Sequence, residues 1–256
     1  MVNQAQYEAI ARRKLGGACG DPTEGADISK IENRRIAHAL NILPQNVGRL
    51  LDIGCASGAL LCWVRKTRDY EEIAGVEICP TYVEFVRSLG ITCSHHDFEA
   101  ESLGCYDWIT CLDTIEHILD PVSFLVNIRK SLAPAGKLLF TTFNISYGRF
   151  LESLLLDKEF PFPRAGGDTE IYDVGHLHYW AHKNMSALLA DCGFSKWTIH
   201  NISDPYQFRN AAIESVCRAA DDFEVVHQNE EIVMTVEVGN ERDGINGAVP
   251  DDSDAV

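Results

Sequence analysis

The residues able to do chemistry gather in four short stretches. The first is Leu50-Leu51-Asp52-Ile53-Gly54-Cys55-Ala56-Ser57-Gly58, an apolar run ending in a tight turn of small residues, with Ala59 to Val64 continuing as a helix. A strand that enters a glycine turn and then a helix presents backbone N–H groups to a negatively charged or nucleotide-like ligand, and glycine lets that ligand touch the backbone. The spacing is not G-x-G-x-x-G, and no Lys-Ser/Thr follows, so neither the dinucleotide nor the P-loop fingerprint is present. The second stretch ends in Glu77, where an acid at the end of the next strand can accept both hydroxyls of a ribose. The third is Asp113-Thr114-Ile115-Glu116-His117, and the fourth is Gly175-His176-Leu177-His178-Tyr179-Trp180. A histidine is the natural proton acceptor near neutral pH. His117 is the first candidate base, and His176 and His178 are the others. Two further readings stand beside it. His117 caps or packs a helix, or Asp113, Glu116 and His117, at i, i+3 and i+4, join His176 or His178 around a metal ion. The metal-free reading is the one adopted.

These stretches need a scaffold, and the chain supplies a regular alternation. Strands are expected over Arg49 to Ile53, Ile73 to Ile78, Ile91 to Ser94, Tyr106 to Leu112 and Lys137 to Phe143, with helical spacing between them. Further strands are expected at Trp197 to Ile202 and Glu231 to Val238, and helices at Ser29 to Ile42, Asn184 to Asp191 and Gln207 to Ala220. This alternation predicts βαβ units in an α/β fold: a Rossmann-like, seven-stranded, mostly parallel sheet with helices on both faces. Ligands of such sheets sit at the carboxyl ends of the strands. Residues from about 145 to 179 break the rhythm after the fifth strand and read as a small cap over that edge. The cap and its two borders supply Phe143, Tyr147, Phe150, Phe160, Phe162, Tyr172, Tyr179 and Trp180, which suit a partly apolar pocket for a small molecule. Residues 1–27 read as a flexible arm, 28–240 as the catalytic domain and 241–256 as a disordered acidic tail.

With these parts in place, Leu50 to Gly58 resembles motif I of the class I S-adenosylmethionine (SAM)-dependent methyltransferases, in which an Asp precedes the first of two glycines. Asp113 to Pro121 resembles the Glu-His segment of the ubiquinone-biosynthesis type of O-methyltransferase. Ser131 to Lys137 resembles that group's Leu-x-Pro-Gly-Gly turn, and Gly175 to Trp180 its His-x-His-aromatic segment. The resemblance covers about Gly48 to Phe194. It implies that SAM is the cofactor and that Asp52, Gly54, Cys55, Ser57, Gly58, Glu77, Ile78, Asp97, Phe98 and Leu112 line its site. Glu77 would hold the ribose, Asp97 the adenine amino group and Phe98 the face of the ring; a lone Asp such as Asp97 serves equally as a helix cap. The activity implied is methyl transfer to a small metabolite, with O-methylation first and N- or C-methylation or metal-assisted O-methylation as alternatives. A non-catalytic SAM-binding or interaction protein is the alternative of another class. Ala56 and Ala135 stand where the group carries glycine, and alanine adopts positive φ only at a cost.

Composition limits the partners. A formal net charge of −16 over 256 residues repels phosphate backbones, so no nucleic-acid substrate is expected. No run is long and apolar enough for a membrane span, and Met1 to Lys14 lacks a signal-peptide core, so a cytoplasmic location is expected. The nine cysteines include no Cys-x-x-Cys pair, which argues against a zinc knuckle or a disulfide framework.

Overall fold

The apolar runs become strands because they pack on two buried faces. In the computed structural model, which describes residues 4–15, 21–24, 27, 31–97, 103–160, 175–200, 206–219, 226–228 and 230–237, they are β1 (Asn46–Ile53), β2 (Asp69–Glu77), β3 (Thr92–His95), β4 (Tyr106–Leu112), β5 (Leu132–Phe143), β6 (Lys196–Ile199) and β7 (Glu231–Glu237). They form one sheet in the order β3-β2-β1-β4-β5-β7-β6. β1 to β5 run parallel, and β7 lies antiparallel between β5 and β6. This is the expected Rossmann-like, mostly parallel α/β sheet.

The helices are α1 (Gln4–Leu15), α2 (Arg34–Ile42), α3 (Ala59–Thr67), α4 (Pro80–Ser88), α5 (Pro121–Ser131), α6 (Gly148–Glu152), α7 (His182–Asp191) and α8 (Ala211–Arg218). Neighbouring strand residues feed opposite layers. Leu51, Leu138 and Phe140 join Phe124, Ile128, Met185 and Leu189 of α5 and α7. Leu50 and Leu139 join Leu40, Leu61, Trp63 and Val86 of α2, α3 and α4. Each fully buried leucine or phenylalanine contributes about 1.5–3 kcal/mol relative to exposure. No helix among the described residues is long and apolar enough to cross a membrane.

Several boundaries differ from expectation for identifiable reasons. The arm expected over residues 1–27 is helical over Gln4–Leu15, where Ala11 is fully buried beside Cys79 and Tyr82 on α4. The helix expected from Ser29 starts at Arg34, because the Asn33 side chain caps it by accepting from Ile36 N. β5 begins five residues earlier than expected, at Leu132, and its register against β4 shifts between Tyr106 and Trp108. Ala135 takes φ +64° in that irregular stretch. Within the cap the chain is α-helical over Gly148–Glu152 and continues as a π turn over Ser153–Asp157. Phe98, residues 161–174 of the cap and the acidic tail 241–256 lie outside the described residues.

Candidate active site

The carboxyl ends of β1, β2, β4 and β5 share one edge, and the chemistry-bearing stretches meet there. The turn after β1 is built on left-handed backbone: Gly54 has φ +71°, Ala56 +45° and Gly58 +72°. Ala56 thus takes a left-handed conformation that only glycine adopts without cost, at a strain of roughly 1–2 kcal/mol. Gly54 is required for a second reason. A Cβ there would stand 2.3 Å from Thr114 Oγ1, so the turn after β4 presses directly on the turn after β1. Thr114 also donates to Ile53 O at 3.3 Å.

Glu77 ends β2 almost fully buried. Its carboxylate accepts from Ala56 N at 2.8 Å and Cys79 N at 3.0 Å, tying the small-residue turn to the end of β2. Burial raises its pKa, and the hydrogen bonds from Cys79 and Ala56 oppose the rise. Asp52 lies one strand away with Thr110 Oγ1 donating to its Oδ1 at 2.7 Å. Burial, with Glu77 nearby, pushes Asp52 up to about 7 against that hydrogen bond. Ser57 and Leu112 are half-buried, Ile78 is exposed just beyond β2, and Asp97 is exposed after β3. Cys55 is buried, with its Sγ 3.7 Å from Cys93 Sγ.

The Glu-His turn departs from the expected helical presentation. Asp113 itself takes φ +48°, and Ile115–His117 is a single 3-10 turn. Asp113 is therefore separated from the other two. Its carboxylate pairs with Arg35 of α2 and accepts from Thr141 Oγ1 at 2.5 Å. Glu116 is 1% exposed, and Thr142 Oγ1 donates to its Oε2 at 2.9 Å. Burial raises its pKa well above the ordinary range, and Asp113 adds to that.

The His-x-His strip is pinned to the same turn. Leu177 N and His178 N both donate to Glu116 O, at 2.7 and 3.2 Å. His176 Nε2 lies 4.0 Å from Glu116 Oε1, and its ring meets His117 edge-on with centroids 4.7 Å apart. His178 is set apart, stacked on Trp180 at 5.3 Å. The structure thus brings His117 and His176 together and leaves His178 out. His117 Nδ1 lies 3.1 Å from Gly175 O. A carbonyl only accepts, so Nδ1 carries a proton, and in the neutral ring the lone pair is then on Nε2. One donor atom from each of Glu116, His117 and His176 lies within 4.8 Å of the others, a set that suits a divalent cation; Asp113 is not part of it. Phe143, Tyr147 and Phe150 form a small aromatic cluster beside these groups, with Phe143 6.1 Å from the His176 ring.

The sequence reading missed Arg35, Thr141, Thr142 and Glu231. Arg35 lies 3.9 Å from Glu231, which opens β7 opposite Phe143. Burial with Asp113 nearby pushes Glu231 up to about 8. No local pattern marks these residues, because only the packing of α2 and β7 against the β4–β5 edge assembles them.

A family model described as a methyltransferase domain matches residues 28–199. A ubiquinone biosynthesis O-methyltransferase of Xanthomonas oryzae pv. oryzae is 30% identical over 105 residues, 38% of this chain. The match spans 43% of that protein's length. Among solved structures, a chain from the complex between the Haloferax volcanii Trm112 methyltransferase activator and the putative methyltransferase superposes with TM-score 0.60 at 17% identity, covering 93% of this chain and 98% of that one. The N-methyltransferase NodS from Bradyrhizobium japonicum WM9, in complex with S-adenosyl-L-homocysteine, gives TM-score 0.53 at 14% identity, covering 91% and 98%. At such identities the two structures show a shared fold.

Proposed function

We propose that this chain, which belongs to the methyltransferase-domain family, is a SAM-dependent methyltransferase whose acceptor is a hydroxyl oxygen of a small molecule. One observation carries this reading: the Thr114 turn that leads to His117 packs directly on Gly54, so the base candidate and the small-residue turn share one edge. The similarity to ubiquinone biosynthesis O-methyltransferases supports oxygen as the acceptor.

SAM supplies a methyl group already activated by its cationic sulfur. The protein has to hold it, align the acceptor and accept one proton. Gly54, Ala56 and Gly58 shape the turn against which the cofactor lies. Glu77 holds that turn through Ala56 N and faces the ribose with its remaining lone pairs. Asp52 and Ile78 line the same site, with Asp97 at its adenine end. His117 Nε2 accepts the hydroxyl proton while Gly175 O holds Nδ1–H. Glu116 lies beside both histidines, and its backbone carbonyl anchors the strip that carries His176. Phe143, Tyr147 and Phe150 exclude water around the acceptor.

A second reading has the Glu116, His117 and His176 donors around a divalent cation, with Thr142 and Gly175 orienting two of them. The ion would then acidify the acceptor hydroxyl in place of the base. Full turnover after exhaustive chelation supports the base reading; loss of turnover restored by Mg²⁺ or Mn²⁺ supports the metal.

The experiment for the base is His117→Ala. Turnover should fall by about two to four powers of ten while SAM affinity holds, and the rising limb of the pH profile should disappear. Near-normal turnover with an unaltered limb would return His117 to a structural role.

A further inference from the structure

The buried thiols of Cys55 and Cys93 are not used in the chemistry above, yet their placement is specific. Cys55 is the second residue of the turn after β1. Cys93 is on β3, the edge strand, with β2 between them. A side chain on β2 would block the path. The residue there is Gly75, paired in register with Cys93, and a Cβ on it would stand 2.7 Å from Cys55 Sγ. Glycine in a strand interior weakens the strand, so its presence here marks a close approach. Across that gap the two sulfurs lie 3.7 Å apart, with Cys55 6% and Cys93 3% exposed.

We infer that Cys55 and Cys93 form a peroxide-sensitive dithiol whose oxidation to a disulfide shuts the cofactor turn. The inference rests on the reading of that turn as the SAM site. The hydrogen bond between the two sulfurs and the charge of Arg87 lower the pKa of the Cys93 thiol, against burial and the charge of Glu77, and Arg87 Nε donates to Cys93 O at 2.8 Å. Cys55 is held as a thiol by that same hydrogen bond and by burial, with Asp52 and Glu77 adding to the effect.

The chemistry balances with a hydroperoxide as oxidant. The Cys93 thiolate attacks one peroxide oxygen, forming an S–O bond and breaking O–O. The sulfur is oxidised to sulfenic acid, and the peroxide is reduced to hydroxide, which takes a proton and leaves as water. Cys55 then gives up its proton and attacks the Cys93 sulfur. An S–S bond forms, the S–O bond breaks and a second water leaves.

Closing the sulfurs to about 2.05 Å requires roughly 1.7 Å of approach. The share of it made by the Cys55 backbone moves the turn. Its N–H is bonded to Val76 O at 3.2 Å, its carbonyl accepts from Gly58 N at 2.8 Å, and the next N–H is the one held by Glu77. Displacing these contacts deforms the surface that meets SAM.

The test uses the full chain, reduced and then treated with hydrogen peroxide. Peptide mapping after alkylation should find a Cys55–Cys93 linked pair, and SAM affinity by calorimetry should fall at least tenfold and return with dithiothreitol. Cys93→Ser should bind SAM like the natural chain and keep its affinity after peroxide. The mapping on the natural chain decides the matter even if that variant does not fold. Recovery of both cysteines singly alkylated after peroxide would overturn the dithiol. A linked pair with SAM affinity within twofold of the reduced chain would overturn the shut-off. A reduced chain that binds no SAM would instead refute the reading of the turn, and with it the shut-off, while the linked peptide still decides the dithiol.

Discussion

Replacing Asp52 by asparagine isolates a buried carboxylate that, on the proposed site, meets the cofactor's positive charge. Asp52 is 4% exposed, and among the described residues its carboxylate accepts from the Thr110 hydroxyl at 2.7 Å. Burial moves its pKa from 3.8 to about 7. The folded chain therefore binds this proton more tightly than the unfolded chain does. For an acid with a raised folded pKa, stability is greatest below the unfolded value and declines as pH rises towards the folded one. At about 1.4 kcal/mol per pH unit over the part of the window where only the folded chain keeps the proton, Asp52 withdraws about 3 kcal/mol between pH 4 and pH 7. Asparagine keeps the shape and an acceptor for Thr110 but does not ionise. Urea denaturation of Asp52→Asn from pH 4 to pH 8 should therefore decline less steeply than the natural chain, by about that amount. Glu77, Glu116 and Glu231 are raised too and remain in both proteins, so the difference between the curves reports Asp52. The cofactor supplies the second half of the test. SAM carries a sulfonium and an ammonium, and their charge favours ionised Asp52. Binding at pH 6 should release about 0.9 proton from a group of pKa about 7, read by calorimetry in two buffers of different ionisation enthalpy. Asp52→Asn should release none of it and bind SAM roughly 10–100-fold more weakly at pH 8, the loss of one charged interaction. Equal proton release by both proteins, or parallel stability curves, would refute this account of Asp52.

Two further substitutions test the backbone of the site. Gly54→Ala adds a Cβ at φ +71°, 2.3 Å from Thr114 Oγ1, and should cost about 2–4 kcal/mol in urea denaturation while weakening SAM binding. Ala135→Gly relieves φ +64° in β5 and should raise stability by about 0.5–1 kcal/mol with no change in SAM affinity.

The parts of the molecule legible in the sequence were those governed by local rules. Tyr106 to Leu112 is a strand with the expected bounds because its apolar residues form a short run with loop chemistry before it. Pro80 and Gly90 bracket α4 as proline at the first turn and glycine past the last turn do elsewhere. The turn after β1 was legible because two glycines and an acid at fixed spacing describe one backbone path. Long-range contacts were not legible. The i, i+3, i+4 spacing of Asp113, Glu116 and His117 suggested one face, but the left-handed Asp113 sends its carboxylate to Arg35, 78 residues earlier in the chain. Likewise, α1 owes its packing to Ala11 against Cys79 and Tyr82, a contact that no pattern within Gln4–Leu15 announces.

The central claim is methyl transfer from SAM to oxygen with His117 as the base. It is tested most directly by incubating the reduced chain with methyl-deuterated SAM and a metabolite extract, and locating the label by mass spectrometry and NMR. The account predicts a small molecule carrying the labelled methyl on oxygen, formed by the natural chain and about two to four powers of ten more slowly by His117→Ala. Label on nitrogen or carbon, or equal rates for the two proteins, would contradict it.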